Sequence, residues 1–249
     1  MWAGKHKELS MALENLLPKY LKKLMESDRL GCRKVLGEAM QTGTPANIIY
    51  TDLFWPIMAE VEQLYREHRI DLITEHMATR INRTLVDQLQ SKLPRGGDRN
   101  MKMIITCADG EPEELGAQMC ADLFESDGWE VKFLGGGIPN DEILSLVGVI
   151  QPDILFIYGT QPSGAPDVRR LIDKTREVGA CPKMRIMLSG GIFNRAEGLW
   201  DEIGADLFAP TAKEALKIAL TDQRADTSKR RNRRSYYKAK KTDMAHSTD

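Results

Sequence analysis

Met103-Ile-Ile-Thr106 is a short apolar run between a polar linker and a Gly/Pro-containing loop, rich in β-branched residues and too brief for a helix. It reads as a buried strand, and the hydrophobic period of the chain changes there. A helix follows from about Glu113 to Ser126, then a strand at Glu130-Val-Lys-Phe-Leu134. Asn140 or Asp141 caps a helix that runs to Ile150. Asp153-Ile-Leu-Phe-Ile157, Met184-Arg-Ile-Met-Leu188 and Asp206-Leu-Phe208 are further strands, followed in turn by helices near 167–178, 195–203 and 212–220. Apolar strands alternating with helical crossovers demand a parallel sheet covered on both faces. Right-handed crossovers leave few topologies, of which the flavodoxin-like order 2-1-3-4-5 is expected.

Upstream, residues 5 to 93 read as helix almost throughout. Leu9, Leu13, Leu16, Leu17, Tyr20, Leu21 and Leu24 mark one apolar face, which Pro18 is expected to kink or split. A second helix runs from about Leu30 to Met40 and stops at Gly43-Thr44-Pro45. A third carries Ile48 to Tyr65. A fourth, capped by Asp71, carries Ile73, Met77, Ile81, Leu85 and Leu89. Pro94-Arg-Gly-Gly-Asp-Arg-Asn100 reads as a linker. The predicted class is α/β, an N-terminal four-helix bundle (residues 1–95) followed by a flavodoxin-like, doubly wound, parallel five-stranded sheet (101–220) and a basic tail (221–249).

Composition sets bounds. Of 249 residues, 42% are hydrophobic and 29% charged, which fits a globular chain of about two domains. No apolar run approaches the ~20 residues that span a bilayer, and Met1–Ser10 has no signal-peptide core, so no membrane association and a cytoplasmic location are expected. Cys32, Cys107, Cys120 and Cys181 form no C-x-x-C pair and read as reduced, packed thiols. No Ser/His/Asp set, paired carboxylates with a base, or phosphate-binding G-x-x-x-x-G-K-[ST] loop stands out, so no catalytic residue is assigned and no enzyme is expected.

In an open parallel sheet, ligands bind beyond the carboxyl ends of the strands. Three Gly-, Pro-, Ser- or Thr-containing loops meet there, Cys107–Glu114, Tyr158–Pro166 and Ser189–Asn194. Gly110-Glu-Pro-Glu-Glu-Leu-Gly116 resembles the Asp/Glu-x-His-x-x-Gly motif of cobalamin-binding Rossmann-like domains. Asp127-Gly-Trp-Glu-Val-Lys-Phe-Leu-Gly135 with Ile138-Pro139 is similar to the next family segment. Ser189-Gly190-Gly191 with Ile203-Gly-Ala-Asp206 resembles the part that wraps the corrinoid's nucleotide tail. In the helical half, Tyr65 and Glu75-His76 have the spacing of the Trp-x9-Glu-His signature of CarH-like photoreceptors, whose helical cap covers the corrin's upper face.

The resemblance implies a tetrapyrrole between cap and sheet, cobalamin first, with haem or a bilin as alternatives and no ligand as a further one. It implies contacts from Tyr65, Glu75, His76, Glu111, Glu113, Gly116, Thr160, Ser163, Ser189, Gly190 and Gly191, with His76 as metal ligand. The family histidine that ligates cobalt from below and displaces the corrinoid's own base is replaced by Glu113, a harder and poorer cobalt donor. That departure turns the expectation from cobalt-centred catalysis to a cobalamin-binding sensor or regulator of transcription. The alternatives are a ligand-free scaffold, its cleft filled by Tyr158 or Phe193, and a corrinoid methyl-carrier. A regulatory protein partner and a homo-oligomer are expected. The basic run 229–241, with Tyr236 and Tyr237, gives an expected non-specific nucleic-acid contact, against a merely solvated tail.

Overall fold

The structure, a computed structural model, describes residues 2–108 and 110–221, with the side chains of residues 2–10 and 12 excepted. The basic run 229–241, Tyr236, Tyr237, His246 and the His6 side chain lie outside the described residues. Two units are distinguished, Met1–Ile218 and Ala219–Asp249, and the helical region, the sheet and the cleft between them all belong to the first.

The helical region comprises α1 (Trp2–Met25), α2 (Arg29–Gln41), a third helix in segments and α5 (Leu72–Gln90). Pro18 does not split α1, which runs unbroken through it. Burial of Leu13, Tyr20 and Leu24 along one face outweighs the loss of one backbone hydrogen bond. The third helix begins as α3 (Ala46–Ile49), loosens into a π-helical turn at Tyr50–Phe54 and resumes as α4 (Trp55–Arg66). Its cause is Pro56, which has no N–H to give Asp52 and whose ring crowds that carbonyl, so the Trp55 N–H bonds back to Tyr50 instead. Asp71 caps α5 by accepting from the Thr74 N–H at 2.8 Å, as its place before the apolar run predicts.

Five parallel strands follow, β1 (Lys102–Cys107), β2 (Glu130–Gly135), β3 (Ile154–Tyr158), β4 (Arg185–Ser189) and β5 (Leu207–Ala209). Their order is β2-β1-β3-β4-β5, the expected topology. Helices α6 (Leu115–Ser126), α7 (Asn140–Ile150), α8 (Ala165–Val178), α9 (Gly191–Arg195), α10 (Leu199–Glu202) and α11 (Ala212–Leu220) alternate with them. Every residue of β3 is buried, as is β1 after Lys102, which is why those runs read as continuously apolar. One sheet face packs Ile104, Leu155, Ile157, Ile186 and Leu188 against Val168, Leu171 and Ile172. Each such fully buried branched side chain contributes roughly 1.5–3 kcal/mol.

Two boundaries differ from expectation where the cleft lies. The helix near Glu113 begins at Leu115, leaving Glu113 in the loop. The helix expected over 195–203 is two short ones, because Gly190 (φ 106°) and Gly198 (φ 77°) turn the chain through conformations that side-chain-bearing residues rarely adopt. The linker is also tied down, with the Gly96 N–H donating to the Ser126 carbonyl at 2.6 Å and Arg99 paired with Asp127.

Candidate functional site

A cavity of about 340 Å³ lies between the helical cap and the carboxyl end of the sheet. That is the small end of the roughly 300–1,000 Å³ of small-molecule sites. Two helical stripes form its roof. From α4 come Trp55, Met58, Ala59, Glu62 and Tyr65, and from α5 come Leu72, Glu75, His76, Thr79 and Asn82. Each stripe repeats at steps of three and four residues, so it occupies one side of its helix. Ile57 and Leu64 of α4, and Ala78, Ile81 and Leu85 of α5, are buried outside these stripes, while Val61 is buried and also lines the cavity. Below lie Pro112, Glu113, Leu115 and Gly116 from the first loop and α6, Tyr158, Thr160 and Gln161 after β3, and Gly190, Gly191 and Asn194 after β4.

Of the residues singled out in sequence, Tyr65, Glu75, His76, Glu113, Gly116, Thr160, Gly190 and Gly191 line this cavity. Glu111, Ser163 and Ser189 do not. Glu111 is buried and ties the first loop to the third, accepting from the Thr160 hydroxyl at 2.6 Å, from the Thr160 N–H and from the Glu113 N–H. It therefore shapes the floor from beneath. Ser189 is fully buried, its hydroxyl donating to the Ala209 carbonyl at 2.7 Å. Ser163 sits on an exposed 3-10 turn, Pro162–Gly164. Sequence reading passed over Trp55 and Glu62. The signal was there in their i, i+3, i+4, i+7 spacing with Met58 and Ala59, but the alternating apolar face of the same helix masked it.

Electrostatically the cleft is acidic. Glu113 has its carboxyl raised from an ordinary 4.5 to about 7, first by burial and then by the charges of Glu75 across the cavity and Glu111 beneath. Near neutrality it is about half protonated, which further weakens it as a metal ligand. Among the described residues no group of three or more His, Cys, Asp and Glu could hold a bare metal ion. His76 is a lone imidazole at the roof, able to serve a metal only where a macrocycle supplies the remaining ligands.

Polar pins ring the cavity and hold cap to sheet. The Tyr50 hydroxyl meets Asp122 of α6 at 3.0 Å and also the Val86 carbonyl at 3.0 Å. The Gln118 amide donates to Asp87 at 2.7 Å, and Arg83 lies 3.9 Å from Glu114. Arg195 pairs with Glu62 of the cap and donates its second nitrogen to the Thr160 carbonyl at 2.6 Å. A cavity of this size argues against a scaffold whose cleft is wholly filled. Tyr158 and Phe193 are nevertheless both buried beneath it.

Residues 101–220 match the family model described as the B12 binding domain, and residues 16–90 match a second B12 binding domain model that covers the cap. The chain belongs to this B12-binding family, carrying its helical cap and its Rossmann-like fold, and cobalamin is the ligand of that domain pair. It is 25% identical over 164 residues to dimethylamine corrinoid protein 3 of Methanosarcina acetivorans, covering 65% of this chain and 76% of the relative. It is 24% identical over 220 residues to monomethylamine corrinoid protein 1 of Methanosarcina mazei, covering 84% and 98% respectively. The Methanosarcina barkeri monomethylamine corrinoid protein has the same fold, with a TM-score of 0.73 at 21% identity over 83% of this chain and 98% of that one. The CarH-like branch is not among these likenesses. No helix among the described residues is long and apolar enough to cross a membrane.

The residues fit a corrinoid unequally. The aromatic and histidine roof of Trp55, Tyr65 and His76 suits a flat macrocycle. The floor does not present an empty cradle. A Cβ added at Gly116 would meet the Tyr158 hydroxyl, and one at Gly191 would meet Arg195 and Glu62, so both glycine positions are covered by this chain's own side chains.

Proposed function

We propose that this chain is a corrinoid-carrying protein that holds its cofactor between cap and sheet and presents it to a methyltransferase partner, rather than a sensor. The observation that carries this reading is the two-part layout with its cleft, in a chain aligned over 84% of its length with a monomethylamine corrinoid protein. A regulator of transcription has less support, since the relatives that the chain resembles are methylamine corrinoid proteins. A cytoplasmic location accords with the same reading. Bound, a corrinoid would supply methyl-transfer chemistry. Tyr65 and Trp55 would cover its upper face, His76 and Glu75 would approach from α5, and Gly116, Gly190 and Thr160 would border it from below. Glu113, substituting for imidazole, would face the ring as a largely uncharged carboxyl under mildly acidic conditions.

The test is reconstitution of the full chain with aquocobalamin and, separately, aquocobinamide, followed by gel filtration and visible spectroscopy. A carrier co-elutes with at least one corrinoid, and its oligomeric state is the same in light and dark when adenosylcobalamin is added. A light-dependent change of assembly would favour the regulator. A colourless protein with either corrinoid defeats both.

A further inference from the structure

We infer that the Tyr158 hydroxyl donates a hydrogen bond to the bound corrinoid, accepted by a carbonyl oxygen of one of the neutral amide arms on the corrin rim. The inference rests on the corrinoid reading and assigns one contact within it. Tyr158 ends β3 and stands in register between Cys107 of β1 and Ser189 of β4, at the centre of the sheet's carboxyl edge. Its side chain is only 6% exposed, yet it lines the cavity. Gly116, in the first turn of α6, makes room for the phenol, since a Cβ there would overlap the hydroxyl.

That hydroxyl has no hydrogen-bond partner among the described residues, where it meets only burial and the charges around it. It is the exception. Tyr20 donates to Asn82, and Tyr50 meets Asp122 and the Val86 carbonyl. Thr44, Thr106, Thr160, Thr175 and Ser189, the other buried hydroxyls, each have a partner as well. A buried donor left unmatched by its own protein lowers stability, and such exceptions call for a functional reason. The cavity wall also fixes what kind of acceptor can answer it. Glu62, Glu75 and Glu113 line the same space, and Glu111 lies beneath, so an anionic acceptor would be repelled. Burial first, then nearby Cys120 and Glu62, holds the phenol well above its ordinary range, so it keeps its proton and acts as a donor. A neutral carbonyl satisfies both conditions, and the amide arms of a corrin carry such carbonyls around its rim. Neighbouring polar groups of the wall are already engaged, the Thr160 hydroxyl with Glu111 and the Asn194 amide with the Pro210 carbonyl.

The experiment compares the full chain with Tyr158→Phe, which removes the hydroxyl and keeps the ring. Titration with aquocobalamin should give a dissociation constant about three- to tenfold higher in the variant, the loss of one hydrogen bond. Urea unfolding without ligand should give the variant a midpoint equal to or above that of wild type, because the hydroxyl it loses has no partner in the protein. Equal affinities would overturn the inference while leaving the carrier reading intact. So would a variant that is destabilised without ligand or fails to fold, since the hydroxyl would then be held by the protein itself. A second measurement needs no variant. In wild type labelled with ¹³Cζ-tyrosine, a tyrosine hydroxyl proton absent from the free protein should appear when aquocobalamin is added, and a spectrum with no new one would also overturn the inference. Binding of cobalamin by neither protein would overturn the carrier reading and the inference with it.

Discussion

Glu113 is the residue of the site whose acidity departs most from an ordinary carboxyl, and its chemistry is set by neighbours from two segments. Glu75 comes from the cap, Glu111 from the same loop, and Arg83 opposes them. The unfolded chain loses this proton near 4.5 and the folded chain near 7, so between those values the folded state binds more protons. Stability contributed here is therefore fully present below 4.5 and is lost as pH rises through about 7. Glu113→Gln should remove that loss, giving denaturation midpoints higher than wild type above pH 7 and a flatter profile. Asp122, raised from 3.8 to about 6 by burial, acts with the same sign at lower pH and should remain in the variant. Unfolding in urea across this range checks both, and an unchanged slope in Glu113→Gln would place the titration elsewhere. The carboxylate in this loop was visible in the sequence. The proton it retains was not, because Glu75 lies 38 positions away in the chain.

At the scale of elements, the strands and their order were legible because buried parallel strands are short, apolar and evenly spaced by helices. Pro18, Pro56 and Gly190 mark where local signals and packing part company. Pro18 is tolerated because α1 buries Leu13, Tyr20 and Leu24 together. Pro56 reshapes its helix into a π turn, after which Trp55 joins the cavity wall. Tyr50, inside that turn, is fully buried and shares one hydroxyl proton between the Val86 carbonyl and Asp122. Tyr50→Phe leaves both acceptors without it and should cost about 1–3 kcal/mol, read from urea unfolding. A loss below a few tenths would mean that the hydroxyl is not what joins the third helix to α6.

For the whole molecule, the cleft exists only because cap and sheet dock around it. Arg195 is one of the contacts that join them, from the end of α9 to Glu62 on α4 and back to the Thr160 carbonyl. The pair is partly exposed, so Arg195→Ala should lower global stability by no more than about 1 kcal/mol. Its larger effect is local. Amide exchange in α4 and α5 should quicken while β1, β3 and β4 stay protected, since those strands are hydrogen-bonded to one another at the centre of the sheet and buried almost throughout. Uniform acceleration across the sheet would show instead that cap and sheet open as one unit.

The sequence by itself determined the strand order, the helical cap, and a carboxylate, Glu113, in the loop after β1. Those features follow from hydrophobic period and residue identity, which are local in the chain. Only the tertiary structure decided that Trp55 and Glu62 belong to the roof, that Glu111 braces loops rather than facing the cavity, and that Tyr158 closes the floor under Gly116. Each of these depends on which side of a helix or strand end meets a partner many residues away, and side-chain packing settles that only once cap and sheet are docked.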